Sequence, residues 1–444
     1  MKNILFTLLI LLLPAGCDVL NVESEDAIPA DEAFQDKAGI ERGILGSYST
    51  LQSLSYFGRT YIIFGDLASD NLIHPPDATS SDYAEVDNNA ILPENGAVSG
   101  IWASLYEGIN NANNVIVKVP GMPDMSDTEK NEALGELYFI RALNHFYLMN
   151  LFGAIPVKTD PTVGVNALDA GRDPVEDVYG QIIEDLTFAE QNLQASTQVK
   201  TRASKFSATA LLARVYLYNA DYDMAYAKAD EVIAGGGYIL PDDFNDVFAA
   251  DGSEETIFEI DFTEVDRNRI AEYNFPKSLN GRREVAPSED LINAYLPEDE
   301  RKNVSIAYDG AYAYANKYND LSKGADNVIV LRLAEMYLIR AEAEAHKTGG
   351  SISSVLDDIN VIRSRANLLP AAGNTMNDLL MVIENERKLE FAFEGQRWFD
   401  LVRTGRATDV LPTVTNINKT LFPIPLGELQ TNNSPDMIQN PGYN

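Results

Sequence analysis

Two stretches of the chain, residues 207–237 and 329–367, constrain the fold more than any other feature, because both carry apolar residues, several of them alanine, at helical spacing. The positions concerned are Leu212, Ala213, Tyr216, Ala225 and Ala229 in the first stretch, and Ala341, Ala343, Val355 and Ile359 in the second. Residues three and four apart lie on one face of a helix, and small side chains let two such faces approach closely. Each stretch therefore predicts a pair of stacked helices, and the chain is predicted to be mostly α-helical.

The segment 385–406 has the least ordinary composition in the chain, with the sequence NERKLEFAFEGQRWFDLVRTGR. Apolar residues recur at helical spacing on both sides of Gly395, which predicts two helices that meet where a residue without Cβ adopts a positive φ at low cost. This corner gathers three acids and three guanidiniums, namely Glu390, Glu394, Asp400, Arg397, Arg403 and Arg406. The acids are either an acid/base pair or part of a buried ion-pair lattice. We favour the lattice, because each acid has an arginine within helical reach.

Further periodic segments complete the predicted scaffold. Apolar residues recur at helical spacing in residues 31–66, 102–116 and 132–152, and the last of these helices is predicted to end at Gly153. Residues 256–262 alternate between apolar and polar side chains, which predicts a short strand. The scaffold is thus predicted to contain several long helices and few strands.

Two segments lack helical periodicity and are rich in polar and turn-forming residues. Residues 72–100 contain three prolines, and residues 262–325 contain five arginines and several tyrosines. We interpret both as insertions that form a ligand face. Tyrosines in such segments either stack on sugar rings, with nearby Asn, Asp and Arg bonding the hydroxyls, or form strand pairs on a small sheet, as Tyr312 and Tyr314 would. The candidate ligand-binding residues are His74, Asp77, Tyr83, Asp87, Asn88, Asn89, Arg269, Tyr273, Phe275, Arg282, Tyr308 and Tyr312.

The N-terminus has the pattern of an exported protein. Lys2 precedes an apolar run from residue 4 to 13, which is too short to cross a bilayer, and small residues then lead to Cys17. Cys17 is the only cysteine in the sequence, so no disulfide can form within the chain. We expect residues 1–16 to be a signal peptide, Cys17 to be lipidated, and residues 17–30 to be an acidic tether.

Composition argues against several functional classes. The chain has 67 acidic and 34 basic residues and a net charge of −33, and such a surface repels nucleic acid and anionic lipid. Three histidines, one cysteine and the absence of a glycine-rich phosphate loop leave few means of catalysis. We therefore expect no catalytic residues, no nucleic-acid partner, no metal and no cofactor. Acid-rich loops are compatible with Ca²⁺, but no EF-hand spacing is present.

Several blocks spread over the whole chain resemble one known family, the SusD/RagB family of outer-membrane nutrient-binding lipoproteins. The blocks are the lipidation pattern around Cys17, the helical block at residues 138–157, the corner at residues 385–406, and the tail at residues 421–429 and 439–443. The resemblance implies a superhelix of tetratricopeptide-like helix pairs over residues 31–444, with inserted loops and a few short strands forming the ligand face. It also implies a lipid anchor on the outer membrane at the cell surface, a SusC-like TonB-dependent transporter as partner, a glycan as ligand and no enzymatic activity.

Other functions stay open at this stage. The ligand of such a transporter lid is a glycan, a peptide or another nutrient, or the chain is a scaffold that binds only protein. A glycan-cleaving enzyme that uses Glu390 and Glu394 would release reducing ends from polysaccharide. We disfavour the enzyme, because both acids belong to the helical corner.

Overall fold

The chain is mostly helical, as its sequence predicts. A computed structural model describes residues 33–164, 169–196 and 199–443. Its α-helices are α1 (Lys37–Thr50), α2 (Thr60–Leu67), α3 (Ser81–Asp87), α4 (Gly96–Ile116), α5 (Asp127–Phe152), α6 (Val175–Asn192), α7 (Lys205–Tyr218), α8 (Tyr222–Gly235), α9 (Ile270–Asn274), α10 (Glu289–Ala294), α11 (Arg301–Ser305), α12 (Leu333–His346), α13 (Ile352–Arg365), α14 (Met376–Glu390), α15 (Arg397–Arg403), α16 (Ala407–Val410) and α17 (Leu426–Thr431). Its strands are β1 (Leu72–Ile73), β2 (Thr256–Ile260), β3 (Ala286–Pro287), β4 (Ile306–Asp309), β5 (Tyr312–Ala315) and β6 (Val328–Arg332). The signal peptide, Cys17 and the tether predicted for residues 1–30 lie outside the described residues.

Both predicted helix pairs are present. α7 packs against α8, and α12 packs against α13. α8 also packs against α12, which joins the two pairs, while α6 packs between α5 and α7. Ala225 and Ala229 on α8 and Ala343 on α12 are completely buried. Alanine side chains let neighbouring helix axes approach closely, so these residues account for the stacking that the sequence predicts.

The long helix α5 starts earlier than its apolar stripe indicates. Ser126 and Glu129 form a capping box, in which each side chain accepts a hydrogen bond from the backbone of the other residue. The helix ends at Gly153, as predicted, where φ is +74°. Its first turn is polar, so periodicity alone missed it. Neither α5 nor any other described helix is both long and apolar enough to cross a bilayer.

The described strands form three two-stranded antiparallel sheets. β2, which confirms the strand predicted near residue 256, pairs with β6 and is buried along its whole length. β4 and β5 form a hairpin, which confirms the predicted strand pairing of Tyr312 and Tyr314. β1 pairs with β3, so that Leu72 lies opposite Pro287. This last sheet joins the two predicted insertions.

The corner at Gly395 is present, but its first helix is shorter than predicted. α14 ends at Glu390, and a tight turn with positive φ at Phe393 (+69°) and Gly395 (+75°) leads to α15. The N–H of Gly395 donates to the carboxylate of Asp66 on α2 at 2.7 Å. α2 approaches so closely that a Cβ on Gly65 would lie 2.1 Å from the carbonyl oxygen of Gly395. In this turn the N–H of Gly395 is therefore bonded to a carboxylate from a distant segment and not to a carbonyl of its own helix.

In two other predicted segments, the helices begin and end at positions that differ from the prediction. Residues 31–66, predicted as one helical stretch, contain α1 and all but the last residue of α2, and a turn separates the two helices. The insertion at residues 72–100 contains α3 and the first turn of α4. Ser80 and Asn95 cap these helices by accepting hydrogen bonds from backbone N–H groups three residues ahead. These caps are the local signal that periodicity did not show.

Candidate ligand-binding face

The two insertions meet in space and form one continuous surface. Beside the β1–β3 sheet, the carboxylate of Glu284 accepts hydrogen bonds from the N–H groups of Thr79 and Ser80, at 2.9 and 3.0 Å. It also accepts a hydrogen bond from the hydroxyl of Thr79 at 2.8 Å. The sequence predicts two separate insertions, and the structure brings them into direct contact.

We call this surface the insertion face. It consists of the exposed or half-exposed side chains of Asp77, Arg269, Lys277, Arg282 and Tyr312, together with the partly buried Arg59, Arg267 and Arg283. Lys277 donates to the carbonyl oxygen of Asp77 at 2.7 Å. The Nε atom of Arg283 lies 3.3 Å from the Asp77 carboxylate, and its guanidinium carbon lies 4.6 Å from the ring centroid of Tyr312. These contacts link both insertions at the surface.

The two exposed tyrosines of the β4–β5 hairpin point in opposite directions. Tyr312 lies opposite Asp309, and Tyr308 lies opposite Ala313. Opposed residues of an antiparallel pair share a face, and successive residues of a strand alternate between faces. The side chains of Tyr308 and Tyr312 therefore leave the hairpin on opposite sides, although both are about half exposed. Only Tyr312 contributes to the insertion face, so the structure separates two residues that the sequence predicts as one site.

Two aromatic residues predicted to bind the ligand are buried. The ring of Tyr83 is 3% exposed and packs between the rings of Phe64 and Tyr273, with centroids 5.0 and 5.6 Å away. Phe275 packs against Tyr314, with centroids 4.5 Å apart. The sequence placed these rings at the surface because their neighbours are polar. In this conformation both rings support the exposed side chains and offer no free face to a ligand.

Tyr273, also buried, holds two arginines of the insertion face. The guanidinium carbons of Arg59 and Arg282 lie 4.3 and 4.8 Å from its ring centroid, and its hydroxyl accepts a hydrogen bond from Arg59 at 2.8 Å. A cation near an aromatic ring is attracted by the electron-rich face of the ring. The sequence alone does not indicate Arg59, because this residue directly precedes a scaffold helix and lies outside both insertions.

The remaining predicted residues lie at the edge of the face, around the end of α3. Nε2 of His74 lies 3.9 Å from the carboxylate of Glu284. Burial raises the pKa of the Asp87 carboxyl. Asn88 donates to a carbonyl of its own helix, and Asn89 has a φ of +51° and donates to two backbone carbonyls. The two asparagines shape a turn, and their contact with a ligand stays a prediction.

The acids of the helical corner are held in a buried ion-pair network. Glu390 accepts hydrogen bonds from Arg332, at 2.6 Å, and from Arg365, and one of its oxygens lies 3.3 Å from Arg301. Glu394 accepts from Arg332 at 2.8 Å. Burial alone would raise the pKa of Glu390, but the three guanidiniums outweigh it and hold this pKa well below its ordinary value. A buried, ionised acid has no proton to donate, so the geometry favours the lattice over an acid/base pair.

The lattice is confirmed, but its partners differ from those expected. Of the three corner arginines, Arg403 pairs with Asp400 at 2.9 Å. Arg397 reaches instead to Asp70, at 2.7 Å, and Arg406 pairs with a glutamate on α14. The partners of Glu390 come from elements far away in the sequence, so helical spacing within the corner does not predict them.

Metal-binding geometry is absent from the part of the chain that the structure describes. No group of three or more His, Cys, Asp or Glu side chains there is arranged to hold a metal ion. His145 on α5 is completely buried and accepts a hydrogen bond from the N–H of Lys158 at 3.3 Å. Burial and the nearby Arg141 lower its pKa to about 3, so it is neutral at ordinary pH.

Two family models match separate parts of the chain. Residues 18–217 match a family described as "Starch-binding associating with outer membrane", and residues 313–418 match one described as "SusD family". Residues 218–312, between the two matches, contain most of the second insertion. The matches therefore cover the scaffold more completely than the insertion face.

Individual proteins are similar over nearly the whole chain. "SusD-like protein P2" from Formosa agariphila is 28% identical, with 100% of both chains covered. A SusD superfamily protein from Bacteroides vulgatus shares the fold with a TM-score of 0.84 at 21% identity, covering 92% of this chain and 100% of that one. A laminarin-binding SusD-like protein has a TM-score of 0.80 at 26% identity, with 92% and 100% covered.

Proposed function

Because the chain belongs to the SusD/RagB family, we propose that it is a binding protein that captures a glycan at the insertion face and delivers it to a SusC-like TonB-dependent transporter. One observation carries this proposal. Two insertions from distant parts of the chain join into a single surface, which presents an aromatic ring, Tyr312, beside guanidinium and carboxylate groups. A ring that stacks on C–H groups beside polar groups that bond to hydroxyls is a suitable surface for a sugar.

The comparisons support a glycan as the ligand class. One family description names starch, and one similar structure is named for laminarin binding. Neither name identifies the ligand of this chain, because most of the second insertion lies outside both family matches. The glycan therefore has to be found by experiment.

The protein acts by binding and not by hydrolysis. The acids that most resemble a catalytic pair, Glu390 and Glu394, are buried and bonded to arginines. A glycoside hydrolase needs one carboxylic acid that can donate a proton to the leaving oxygen, and a second carboxylate that can reach the sugar or a water. Neither condition is met at this corner.

Attachment to the outer membrane takes place through lipid on Cys17. The family description includes association with the outer membrane, and the sequence places one cysteine directly after an export signal. A lipidated N-terminus followed by an acidic tether would leave the insertion face free to meet both glycan and transporter.

The test is calorimetry of purified residues 18–444 against a panel of soluble glycans that includes laminarin and starch, with a parallel assay for new reducing ends. We expect saturable binding to at least one glycan and no release of reducing ends. Release of reducing ends would contradict a pure binding function. Failure to bind any glycan, both alone and together with the purified transporter, would exclude glycan capture and leave the peptide and protein-only alternatives.

A further inference from the structure

The second insertion contains a basic segment in a strongly acidic chain. Residues 267–283 carry five basic residues and one acid, whereas the whole sequence has 34 basic and 67 acidic residues. A local reversal of this kind marks a surface with a different electrostatic preference from the rest of the protein. Its significance depends on whether acids elsewhere in the fold neutralise these cations.

Most arginines outside the insertion face form a close ion pair. Of the arginines that the structure describes, twelve outside this face have a carboxylate oxygen within 3.0 Å, among them Arg141, Arg214 and Arg332. The two exceptions are Arg172, which donates mainly to backbone carbonyls, and Arg42, which is exposed on α1. A charge-assisted pair at this distance uses the donors of the guanidinium.

The arginines of the insertion face are not paired in this way. Arg59 and Arg267 have no carboxylate oxygen within 4.0 Å among the described residues. The nearest carboxylate lies 3.7 Å from Arg269, 3.6 Å from Arg282 and 3.3 Å from Arg283. The side chains of Arg269 and Arg282 are 40% and 48% exposed. Arg269 and Arg282 therefore keep exposed donors that a ligand can reach.

The carboxylates near these cations do not cancel them. With Lys277, the face has six cations, and the neighbouring acids are Asp77, Glu272, Glu284 and Asp309. A hydrogen bond from a hydroxyl or an amide N–H, such as those that Thr79, Ser80 and Ser278 donate here, removes no charge from a carboxylate, so six cations against four acids leave a local excess of two positive charges. The face therefore has a positive excess in a protein whose net charge is −33.

We infer that the insertion face binds an acidic polysaccharide, one that carries carboxylate or sulfate groups, in preference to a neutral glycan. The planar fork of donors in arginine matches the paired oxygens of such groups, and Tyr312 next to Arg283 supplies a ring for the sugar itself. Remote acids of the chain are screened beyond a Debye length of about 8 Å at physiological salt, whereas direct contacts are screened much less. This inference rests on the proposed glycan-binding function and names its substrate class.

The test measures affinity for matched neutral and acidic polysaccharides at about 0.15 M NaCl, where the Debye length is about 8 Å. Laminarin and starch are the neutral members, alginate and polygalacturonate carry carboxylates, and carrageenan carries sulfate. We expect at least tenfold tighter binding to one acidic polysaccharide than to either neutral one. Comparing the carboxylated polysaccharides with the sulfated one then identifies which anion is recognised. Binding that is equal, or tighter to a neutral glycan, overturns the inference and leaves the proposed function intact. Binding to none of the five overturns the inference, and it overturns the proposed function as well if binding is also absent in the presence of the purified transporter.

Arginine variants test the face itself. Arg282→Gln and Arg269→Gln should each weaken binding of the acidic polysaccharide about three- to tenfold. Arg282→Lys keeps the charge, so its affinity for the polysaccharide should fall less. Arg42→Gln is the matched control, because it removes an exposed charge of the same kind from α1 and should leave affinity unchanged. Thermal melting checks that all four variants are folded. Equal loss in Arg42→Gln and Arg282→Gln would mean that net charge, and not this face, governs binding.

Discussion

Single charged residues of this protein occupy two contrasting environments. In the helical corner, Arg332, Glu390 and Glu394 are almost completely buried and satisfy one another. On the insertion face, Arg269 and Arg282 keep exposed donors, and their nearest carboxylate oxygens lie 3.7 and 3.6 Å away. The first group stabilises the fold and the second is available to a ligand. The same residue type thus has different roles, which depend on burial and on the distance to the nearest carboxylate.

Glu390→Gln should destabilise the fold strongly. The substitution removes one buried negative charge and leaves Arg332, Arg365 and Arg301 short of a partner. Breaking a buried ion pair in this way costs about 3–5 kcal/mol, which urea unfolding would measure. Glu289→Gln, at an exposed position of α10, is the control and should change the free energy of unfolding by less than about 0.5 kcal/mol. Equal effects of the two substitutions would show that the corner network is not a major source of stability.

Tyr312→Ala should weaken glycan binding more than Tyr308→Ala. Both side chains are about half exposed, but only Tyr312 lies on the side of the hairpin that contacts Arg283. We expect the first substitution to lower affinity about tenfold, or about 1.4 kcal/mol, and the second to have little effect. Because both rings are exposed, neither variant should lose much stability. The reverse order of affinities in calorimetry would mean that the ligand binds on the other side of the hairpin.

Between elements, α2 makes a close backbone approach to the corner. Gly65 and Gly395 leave no room for a side chain between them, and Asp66 bonds the turn directly. α2 starts directly after Arg59, so this contact also fixes one of the arginines of the insertion face. The packing of the corner and the geometry of the face are therefore coupled through one short helix.

Gly65→Ala should destabilise the protein, whereas Gly46→Ala should stabilise it. A Cβ at position 65 would lie 2.1 Å from a backbone oxygen that cannot move without shifting the turn, and we expect a loss of about 2–3 kcal/mol. Position 46 is exposed on α1 with no heavy atom within 4 Å, and alanine is a better helix former than glycine by about 1 kcal/mol. Urea unfolding of both variants measures the difference. An increase in the free energy of unfolding in both variants would show that the turn at Gly395 can move to accommodate a Cβ at position 65.

Asp66 should make the stability depend on pH. Its burial raises its pKa to about 7, against the opposing hydrogen bonds from Asn71 and from the N–H of Gly395. An unfolded aspartate has a pKa of about 3.9, so between these two values the folded chain retains a proton that the unfolded chain has lost. Stability therefore falls as pH rises through this interval.

The measurement compares wild type with Asp66→Asn, which cannot ionise. From about pH 5 to about pH 8 the wild type should lose about 2–3 kcal/mol more unfolding free energy than the variant, whatever offset the substitution itself introduces. Other acids titrate equally in both chains, so their contributions cancel in the difference. Parallel profiles would show that Asp66 is ionised in the folded protein throughout this range.

At the scale of the whole molecule, charge and attachment determine where the protein can act. A net charge of −33 keeps the surface soluble and repels anionic headgroups, so the polypeptide surface itself has little affinity for a membrane. No helix of the described residues can span a bilayer. Attachment through lipid on Cys17, which lies outside the described residues, stays a prediction.

Cys17→Ser should release the protein from the membrane. Without the thiol no lipid can be added, so the variant should move from the membrane fraction to the soluble fraction of fractionated cells. Glycan binding by the purified variant should equal that of residues 18–444, because the face is far from the N-terminus in the chain. A variant that stays with the membrane fraction in cells lacking the transporter would contradict lipid anchoring.

The sequence by itself determined the helical scaffold, its paired stretches and the two insertions. Periodicity, helix-stop glycines and family blocks are properties of residues close together in the chain, so they can be read before any tertiary contact is known. The ion-pair lattice at Glu390 was also predictable in kind, because acids in an apolar helical corner require cationic partners.

Only the tertiary structure decided which residues come together in the candidate site. It paired Glu390 with Arg332 and Arg365, joined the insertions through β1 and β3, and brought Arg59 to the ring of Tyr273. It also buried Tyr83 and Phe275 and turned Tyr308 away from Tyr312. Each of these outcomes depends on strand register or on contacts between residues far apart in the chain. Local patterns specify on which face of its own helix or strand a residue lies. The packing of the elements decides which other residues that face contacts.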